Sequence, residues 1–179
     1  MQGNISVEKT QELCYCQCRV KMFIVSALIV CFIFLLVFVL LGFYRTWKIQ
    51  QSNNQKLFLH GKVPTSLPDG FYKGVVVGYN GPWIGKKFDR AKARGTNIFR
   101  KNGKEGEQYP FKTYVAKGLQ DKSITVLKID YNISENPFWV RSILDEVVLV
   151  DTDKFLGKIT FRLIPNLPFS IGYFQLQKQ

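Results

Sequence analysis

Residues that could carry acid–base or nucleophilic chemistry form no recognisable catalytic pattern in this chain. The one histidine, His60, lies far in sequence from any nucleophile and carboxylate pattern, so a hydrolytic triad would lack its base. The most arguable acid–base pair is Asp145-Glu146, yet adjacent strand residues point to opposite faces and at most one could face a pocket. We therefore favour a noncatalytic protein, with an enzyme as the weaker alternative, for which Asp89, Asp130 and Asp145 are the first carboxylates to test.

The cysteines are confined to the amino-terminal part of the chain. Cys14, Cys16 and Cys18 form a C-x-C-x-C run, and Cys31 follows inside an apolar segment. A zinc site usually spaces its thiolates as C-x₂-C and has a fourth ligand, so we expect no metal and no cofactor. Thiols next to a membrane are candidates for acylation, which would add a second anchor. Unmodified thiols in a tail are the alternative.

One apolar segment dominates the first quarter of the sequence. Residues 22–44, MFIVSALIVCFIFLLVFVLLGFY, contain no charge and no proline. As a helix the run would reach about 34 Å, enough for a hydrocarbon core of about 30 Å. It is longer than the core of a signal peptide and ends without a small-residue cleavage site. The pattern predicts a tail at 1–21 and a transmembrane helix at 22–44.

Flanking charges do not assign the side of the membrane. Arg19 and Lys21 precede the apolar run, while Arg45 and Lys48 follow it. No cysteine follows the run, so disulfides cannot identify the compartment either. We predict a single-pass membrane protein without choosing a side for the carboxy-terminal part.

The remaining sequence divides into a linker and one domain. Residues 45–68 are largely polar and interrupted by glycine and proline, which predicts a linker, and residues 69–179 have the length of an ordinary domain. Within the domain, short segments rich in valine and aromatic residues alternate with turn signals, and residues 136–144 favour one short helix. The predicted strands are 71–79, 96–100, 109–117, 124–131, 143–150, 155–164 and 170–177.

This succession of short strands indicates the fold class. Strand after strand with tight turns favours an antiparallel all-β sandwich or barrel. A meander that closes on itself is preferred, because sequential strands tend to be neighbours and closure removes exposed edges. We predict a small barrel of seven or eight strands.

One motif adds a family resemblance. Residues 81–89, GPWIGKKFD, resemble the G-x-W signature of lipocalins and other calycins. They are more similar still to small bacterial proteins of unknown function that carry the motif G-x-W-x-G-K-x-F-D early in a barrel-like domain. Three later segments also resemble that group, namely residues 136–139, 144–146 and 155–158. The resemblance implies a calycin-like barrel. The chain departs from lipocalins because a predicted strand precedes the motif and the lipocalin cysteine pair is absent.

The same resemblance implies a structural role for Trp83. In calycins the tryptophan closes one barrel end beneath a basic side chain, and Arg162 is the predicted partner here. Such a cation–π contact is worth about 0.5 to 2 kcal/mol. Contact with a ligand is the alternative role for Trp83. We predict that Gly81 and Gly85 are turn residues and not a phosphate cradle, because no helix pattern follows them.

The chain is basic, with 25 lysines and arginines against 13 acidic residues and a net charge of +12. An anionic membrane surface attracts nearby cations by about 1 kcal/mol each. A solvated basic face is the alternative, and nucleic acid is disfavoured because neither a recognition helix nor cations interleaved with aromatics are evident. The predicted membrane-surface residues are Lys86, Lys87, Arg90, Lys92 and Arg94, with Arg100, Lys101 and Lys104 nearby.

Together these patterns favour a noncatalytic barrel tethered beside a membrane. Barrel mouths are common apolar binding sites, so the favoured ligand is a lipid or another apolar small molecule. The predicted ligand contacts are Tyr79, Trp83, Phe138 and Trp139. The alternative function is a structural or assembly subunit with a filled barrel, which would bind a membrane protein partner.

Overall fold

The structure is a computed structural model that describes residues 3–164 and 167–179. Side chains are described at Arg19 and in 21–162 and 167–179. The chain divides into two compact units, Met1–Leu41 and Gly42–Gln179. Its helices are α1 (Gly3–Gln50) and α2 (Asn53–His60), with a 3₁₀ turn at Val140–Ser142. Its strands are β1 (Gly70–Val76), β2 (Trp83–Asp89), β3 (Arg94–Lys101), β4 (Lys104–Lys117), β5 (Thr125–Asp130), β6 (Ile143–Asp151), β7 (Lys154–Ile164) and β8 (Leu167–Lys178).

Helix α1 contains a stretch, Lys21–Gln50, that is long and apolar enough to cross a membrane. Its mean hydropathy reaches 3.4 and none of that most apolar window is buried. The core helix of a soluble protein would bury such residues, whereas Phe23 is 76% and Phe34 is 72% exposed. A signal sequence satisfies the same criteria of length and composition. The long apolar helix predicted at 22–44 is therefore present.

The eight strands form a closed antiparallel barrel in sequence order, with β8 paired to β1. Tyr72 pairs with Lys178 and Val76 with Phe174 across the closing strands. Closure leaves no unpaired sheet edge. The predicted all-β antiparallel meander is confirmed.

The sequence did not reveal β2, which covers the motif where we expected turns. Gly85 lies inside this strand, at an irregularity where the register with β3 shifts between Trp83 and Gly85. The helix expected at 136–144 is reduced to the 3₁₀ turn, because β6 begins at Ile143. Neither difference changes the meander.

Residues 45–68, which we expected to form a linker, are largely structured. They contain the end of α1, helix α2 and a bridge in which Lys62 N–H donates to Leu149 O at 2.9 Å. Phe58 of α2 is fully buried on the outer wall of the barrel, in a cluster that includes Val148 and Leu156. Helix α2 therefore packs on the barrel.

One end of the barrel is filled by aromatic side chains. At this filled end, where β1 begins and β2 ends, Tyr72 packs edge-to-face on Phe88 and Phe155, with ring centroids 5.4 and 5.5 Å apart. Phe88 in turn contacts Phe111, which is fully buried. These buried rings therefore pack against one another inside the barrel at this end.

Candidate functional site

The opposite end of the barrel is hollow. This hollow end, where the odd-numbered strands end and the even-numbered strands begin, contains a cavity of about 230 Å³. An engineered cavity of about 150 Å³ holds benzene, whereas drug-sized ligands occupy about 300 Å³ or more. The cavity therefore suits a small molecule or the end of a longer one. Its aromatic lining residues are Trp83, Phe99, Tyr109, Tyr131, Trp139 and Phe174.

The β2 irregularity brings two side chains to this cavity that strict alternation would separate. Trp83 and Lys86 are three residues apart, so a regular strand would place them on opposite faces. The extra residue at the bulge turns both inward, and both line the cavity. Gly85 has a φ of +152°, and a Cβ there would lie 2.1 Å from Tyr72 O. The bulge therefore requires glycine.

Lys86 is the central polar group of the hollow end. It is 2% exposed, and its Nζ lies 3.0 Å from Asp145 Oδ2. The same nitrogen donates to Asn97 Oδ1 at 2.8 Å and to the Tyr131 hydroxyl. These three acceptors use all three ammonium protons, which is the arrangement a buried cation needs.

Aromatic faces surround the same ammonium group. Nζ lies 5.1 to 5.4 Å from the ring centroids of Trp83, Phe111, Tyr131 and Phe174. Burial lowers the pKa of Lys86 from its ordinary value, although the charge and hydrogen bond of Asp145 oppose that shift. The rings and Asp145 thus stabilise the charged form that burial disfavours.

Tyr131 and Asn97 complete this network. Asn97 Nδ2 donates to Tyr109 O and to the Tyr131 hydroxyl, both at 3.1 Å, and Trp83 Nε1 donates to Asn97 Oδ1 at 3.0 Å. The Tyr131 hydroxyl donates to Asp145 Oδ2 at 3.1 Å. Burial, followed by the charge of Asp145, raises the pKa of Tyr131 well above its ordinary value, so the phenol stays neutral.

Strand alternation separates Asp145 from Glu146 as the sequence predicts. Asp145 points into the barrel toward Lys86, whereas Glu146 points to the outer wall, where Lys128 Nζ donates to it at 2.7 Å. Asp145 thus faces the cavity and Glu146 does not. Both carboxylates are paired with a lysine, and neither lies beside a histidine.

The four predicted ligand contacts separate into two groups. Trp83 and Trp139 line the cavity, and Trp139 is still 48% exposed at its opening. Tyr79 and Phe138 do not line it and are 64% and 77% exposed. They lie in the loops that follow β1 and β5 at the hollow end. Binding by any of the four remains a prediction.

The predicted pair of Trp83 and Arg162 does not form. Arg162 lies on the outward row of β7, where its Nη2 donates to Asp130 Oδ1 at 2.7 Å. Burial opposes ionisation of Asp130, but the Asn132 N–H and the Arg162 guanidinium outweigh it and lower the pKa of that carboxyl. The cation above the Trp83 ring is instead Lys86.

The predicted membrane-surface residues also need revision. Lys86 is buried and cannot contact headgroups. Arg90 and Lys92 are exposed in the β2–β3 turn, and Lys87 and Arg94 are exposed beside it, on strands that meet at the filled end. Lys87 is 3.1 Å from Glu107, and Arg94 is equally close to Glu135. Lys101 and Lys104, by contrast, are exposed in the β3–β4 turn at the hollow end.

The end of α1 attaches to the barrel at the hollow end. Arg45 Nη2 donates to Ile171 O at 3.0 Å, and the Ser170 N–H donates to Thr46 Oγ1 at 3.0 Å. Phe43 packs edge-to-face on Phe169. On the barrel these contacts lie where β8 begins, and in α1 they come from the last residues of the apolar run and the first residues after it.

A second buried polar cluster fixes α2 to the outer wall. Gln55 is 4% exposed, and its Oε1 accepts hydrogen bonds from Lys158 Nζ at 3.0 Å and from the Tyr173 hydroxyl. Gln55 Nε2 donates to Asp121 Oδ1 at 2.8 Å, and Lys158 Nζ is 2.6 Å from Asp121 Oδ2. Every member of this cluster has a protein partner, which indicates a structural role.

Other predicted chemical groups lie outside both clusters. The side chains of Cys14, Cys16 and Cys18 lie outside the described residues, and Cys31 is an exposed free thiol. His60 Nδ1 lies 2.7 Å from Lys56 O at the end of α2. Among the described side chains, which are those of Arg19, 21–162 and 167–179, no three histidine, cysteine or carboxylate groups are placed to hold a metal ion.

Comparison with known proteins supports the fold. No family model and no curated protein matches the chain. The chain is similar to a crystal structure described as a protein from Thermomonospora curvata, with 17% sequence identity and a TM-score of 0.50. The similarity covers 70% of this chain and 84% of that chain. At this identity it shows the fold alone.

Sequence reasoning named Trp83 and Trp139, which line the cavity, and chose Asp145 as one of three carboxylates to test, but it missed Lys86, Asn97 and Tyr131 as lining residues. Lys86 was assigned to a basic surface because four other cations follow it within eight residues. Its burial depends on the bulge, which shifts the alternation of β2. The available signal was the glycine between Trp83 and Lys86, because glycine inside a strand often marks a bulge.

Proposed function

We propose that this chain is a membrane-anchored, noncatalytic barrel that binds a lipid or another apolar small molecule at its hollow end. The observation that carries the proposal is the cavity of about 230 Å³ among six aromatic side chains. Empty apolar space in a barrel loses packing contacts, and a ligand of matching shape would restore them. An assembly subunit would need a filled barrel, whereas this end of the barrel contains a cavity.

Chain connectivity supports a position beside the bilayer. Phe43 and Thr46 contact the start of β8, at the same barrel end as the cavity, and the apolar run ends at Tyr44. In the sequence, only a few residues therefore separate the proposed anchor from the residues that contact this end of the barrel. Exposed Tyr79 and Phe138 at this end suit an interfacial region, where aromatic side chains are enriched.

Cations at the hollow end support the same position. Lys101 and Lys104 are exposed there, and Arg45 and Lys48 lie at the end of α1. We assign contact with anionic headgroups to these residues, in place of those in the β2–β3 turn.

The noncatalytic assignment is supported by the pairing of Lys86 with Asp145, which leaves neither group as an unengaged acid or base.

The test is to extract the small molecules that copurify with the full-length chain and identify them by mass spectrometry. Val76→Trp would fill the cavity, because Val76 lines it, whereas Val75→Trp is the matched control on the exposed outer wall. We expect an apolar species with the wild type and with V75W that is lost with V76W. Equal extracts from all three proteins would contradict binding in the cavity. A stoichiometric protein crosslinked in native membranes, with no such species, would favour assembly.

A further inference from the structure

Two lysines at the tip of the β3–β4 hairpin lie on the face of the hairpin that continues into the cavity. Asn97 and Phe99 both line the cavity, and Lys101 is the next residue of β3 in the same row. Lys104 is paired with Lys101 across the turn, and residues directly opposite in antiparallel strands share a face. Lys101 lies about 7 Å of strand beyond Phe99. We call Lys101 and Lys104 the rim lysines, because both lie at the rim of the cavity mouth.

The two faces of this hairpin differ in how their charges are paired. On the outward face Arg100 lies opposite Glu105, with guanidinium and carboxylate 2.5 Å apart. On the inward face the exposed rim lysines lie opposite each other, and neither makes an ion pair with a described residue. Like charges directly opposite each other destabilise a sheet. An anion bound at the mouth would offset this repulsion.

Two hydrogen-bond donors of the cavity lining also lack a protein partner. The Tyr109 ring packs edge-to-face on Phe99 and on Trp139, and both Tyr109 and Trp139 line the cavity. Among the described residues, none accepts a hydrogen bond from the Tyr109 hydroxyl or from the Trp139 indole N–H. The lining therefore supplies donors to a ligand, in addition to the two cations of the rim.

The inner polar groups, by contrast, disfavour an anion. Lys86 Nζ already has three acceptors, and the negative charge of Asp145 beside it would repel a second anion. Aromatic rings surround this pair and suit an apolar chain. A bound amphiphile would therefore place its chain inside the barrel and its charged group at the mouth.

We propose that the ligand is an anionic single-chain amphiphile whose apolar chain fills the cavity and whose headgroup contacts Lys101, Lys104 and the Tyr109 hydroxyl. This inference rests on the proposed binding function and specifies its ligand class. Carboxylate and phosphate headgroups share this chemistry, because both accept charge-assisted hydrogen bonds. A cationic headgroup would add a further positive charge at the rim, and a neutral one would leave the rim lysines without a counter-charge.

The experiment compares four probes of similar chain length on the full-length chain in nanodiscs of a zwitterionic lipid. The probes are octanoate, octyl phosphate, 1-octanol and octyltrimethylammonium, whose chains suit a cavity somewhat larger than one that holds benzene. The readout is the methyl NMR shifts of Val76, Ile143 and Ile159, which line the cavity. Titrations are compared at equal free aqueous concentration, because the probes also partition into the lipid.

We expect at least one of the two anions to bind about tenfold more tightly than 1-octanol at low salt, and the cation to bind least tightly. The tighter anion identifies the headgroup as a carboxylate or a phosphate. If neither anion bound more tightly than 1-octanol, the anionic assignment would be overturned and the binding function would stand. Absence of saturable shifts with every probe would overturn both.

Neutralising the rim lysines tests where the headgroup binds. The double variant Lys101→Gln with Lys104→Gln should lower the preference for the anions over 1-octanol by about fivefold. The matched control is K117Q with K122Q, which removes two exposed lysines from the end of β4 and the loop after it and changes the net charge equally. An unchanged preference in the rim variant, or equal losses in both double variants, would overturn the role of the rim lysines.

Tyr109→Phe tests the hydroxyl donor. This variant keeps the ring that contacts Phe99 and Trp139 and removes only the hydroxyl group. The preference for the anions over 1-octanol should fall about threefold or more, because a hydrogen bond to a charged acceptor is stronger than one to a neutral acceptor. An unchanged preference in Y109F would overturn the role of Tyr109.

Discussion

At the residue scale, the bulge at Gly85 determines which side chains of β2 point into the barrel. The bulge at this position turns Trp83 and Lys86 to the same side, and a side chain at 85 would collide with the backbone of Tyr72. The G-x-W motif could be recognised from the sequence, but its consequence for Lys86 could not. The residue pattern of a strand predicts which side chains alternate between its two faces. A bulge, by contrast, depends on how the strand pairs with its neighbour.

We expect Gly85→Ala to lower the free energy of unfolding by about 1 to 3 kcal/mol, through backbone strain and the contact with Tyr72 O. Gly172→Ala is the matched control, because a Cβ at this strand glycine would meet nothing within 4 Å. Denaturant unfolding of the full-length chain in nanodiscs measures both. Equal stability of the two variants would show that the bulge does not require glycine.

Lys86 supports a second prediction at this scale. Lys86→Met removes the cation from a carboxylate that is 3% exposed, and breaking such a buried pair costs about 3 to 5 kcal/mol. Adding Asp145→Asn should recover part of the loss, because no buried charge then remains unpaired. Thermal unfolding of the single and double variants gives the comparison. A double variant less stable than K86M would contradict this account of the pair.

At the element scale, α2 is held by one buried ring and one polar cluster. Its eight residues are too few to show a helical period, and only Gln55 and Phe58 are buried, so residues 45–68 looked like a linker in the sequence. The strands were easier to predict, because β-branched and aromatic segments alternate with turns. Contacts with the barrel therefore define α2, while local pattern defines most strands.

Phe58 and Leu57 form a matched pair of tests for the docking of α2. Phe58 is fully buried against the outer wall, whereas Leu57 is 46% exposed. We expect Phe58→Ala to cost about 3 to 5 kcal/mol and Leu57→Ala to cost less than about 1 kcal/mol. Unfolding free energies measure the difference. Similar losses for both variants would argue against the docked arrangement.

Alkaline pH tests the contact between α2 and β8. Burial, followed by the negative charge of Asp121, raises the pKa of Tyr173, while an unfolded tyrosine titrates near pH 10. The unfolded chain therefore releases this proton first, and stability falls as pH rises above about 10, by at most about 1.4 kcal/mol per pH unit. Tyr173→Phe should show a shallower loss between pH 10 and 11. Parallel profiles for the two proteins would contradict the assignment.

At the scale of the whole molecule, the barrel has one filled and one hollow end, and the end of α1 attaches at the hollow one. The sequence predicted the apolar helix and the closed meander. It also named a filled barrel and a hollow barrel as the two alternatives. It could not make that choice, because the volume of a cavity depends on how rings from distant strands pack. Tyr72, Phe88 and Phe155 fill one end, while Trp83 and Phe174 line the cavity at the other.

The central claim is that the hollow end accepts an apolar molecule, and xenon tests it most directly. Xenon enters dry apolar cavities and scatters strongly, so crystals of the full-length chain under xenon pressure would reveal an accessible site. The account predicts xenon density bordered by Trp83, Ile159 and Phe174 in the wild type and none in V76W. A wild-type barrel with no xenon there, its space filled by ordered water or by side chains, would contradict the claim.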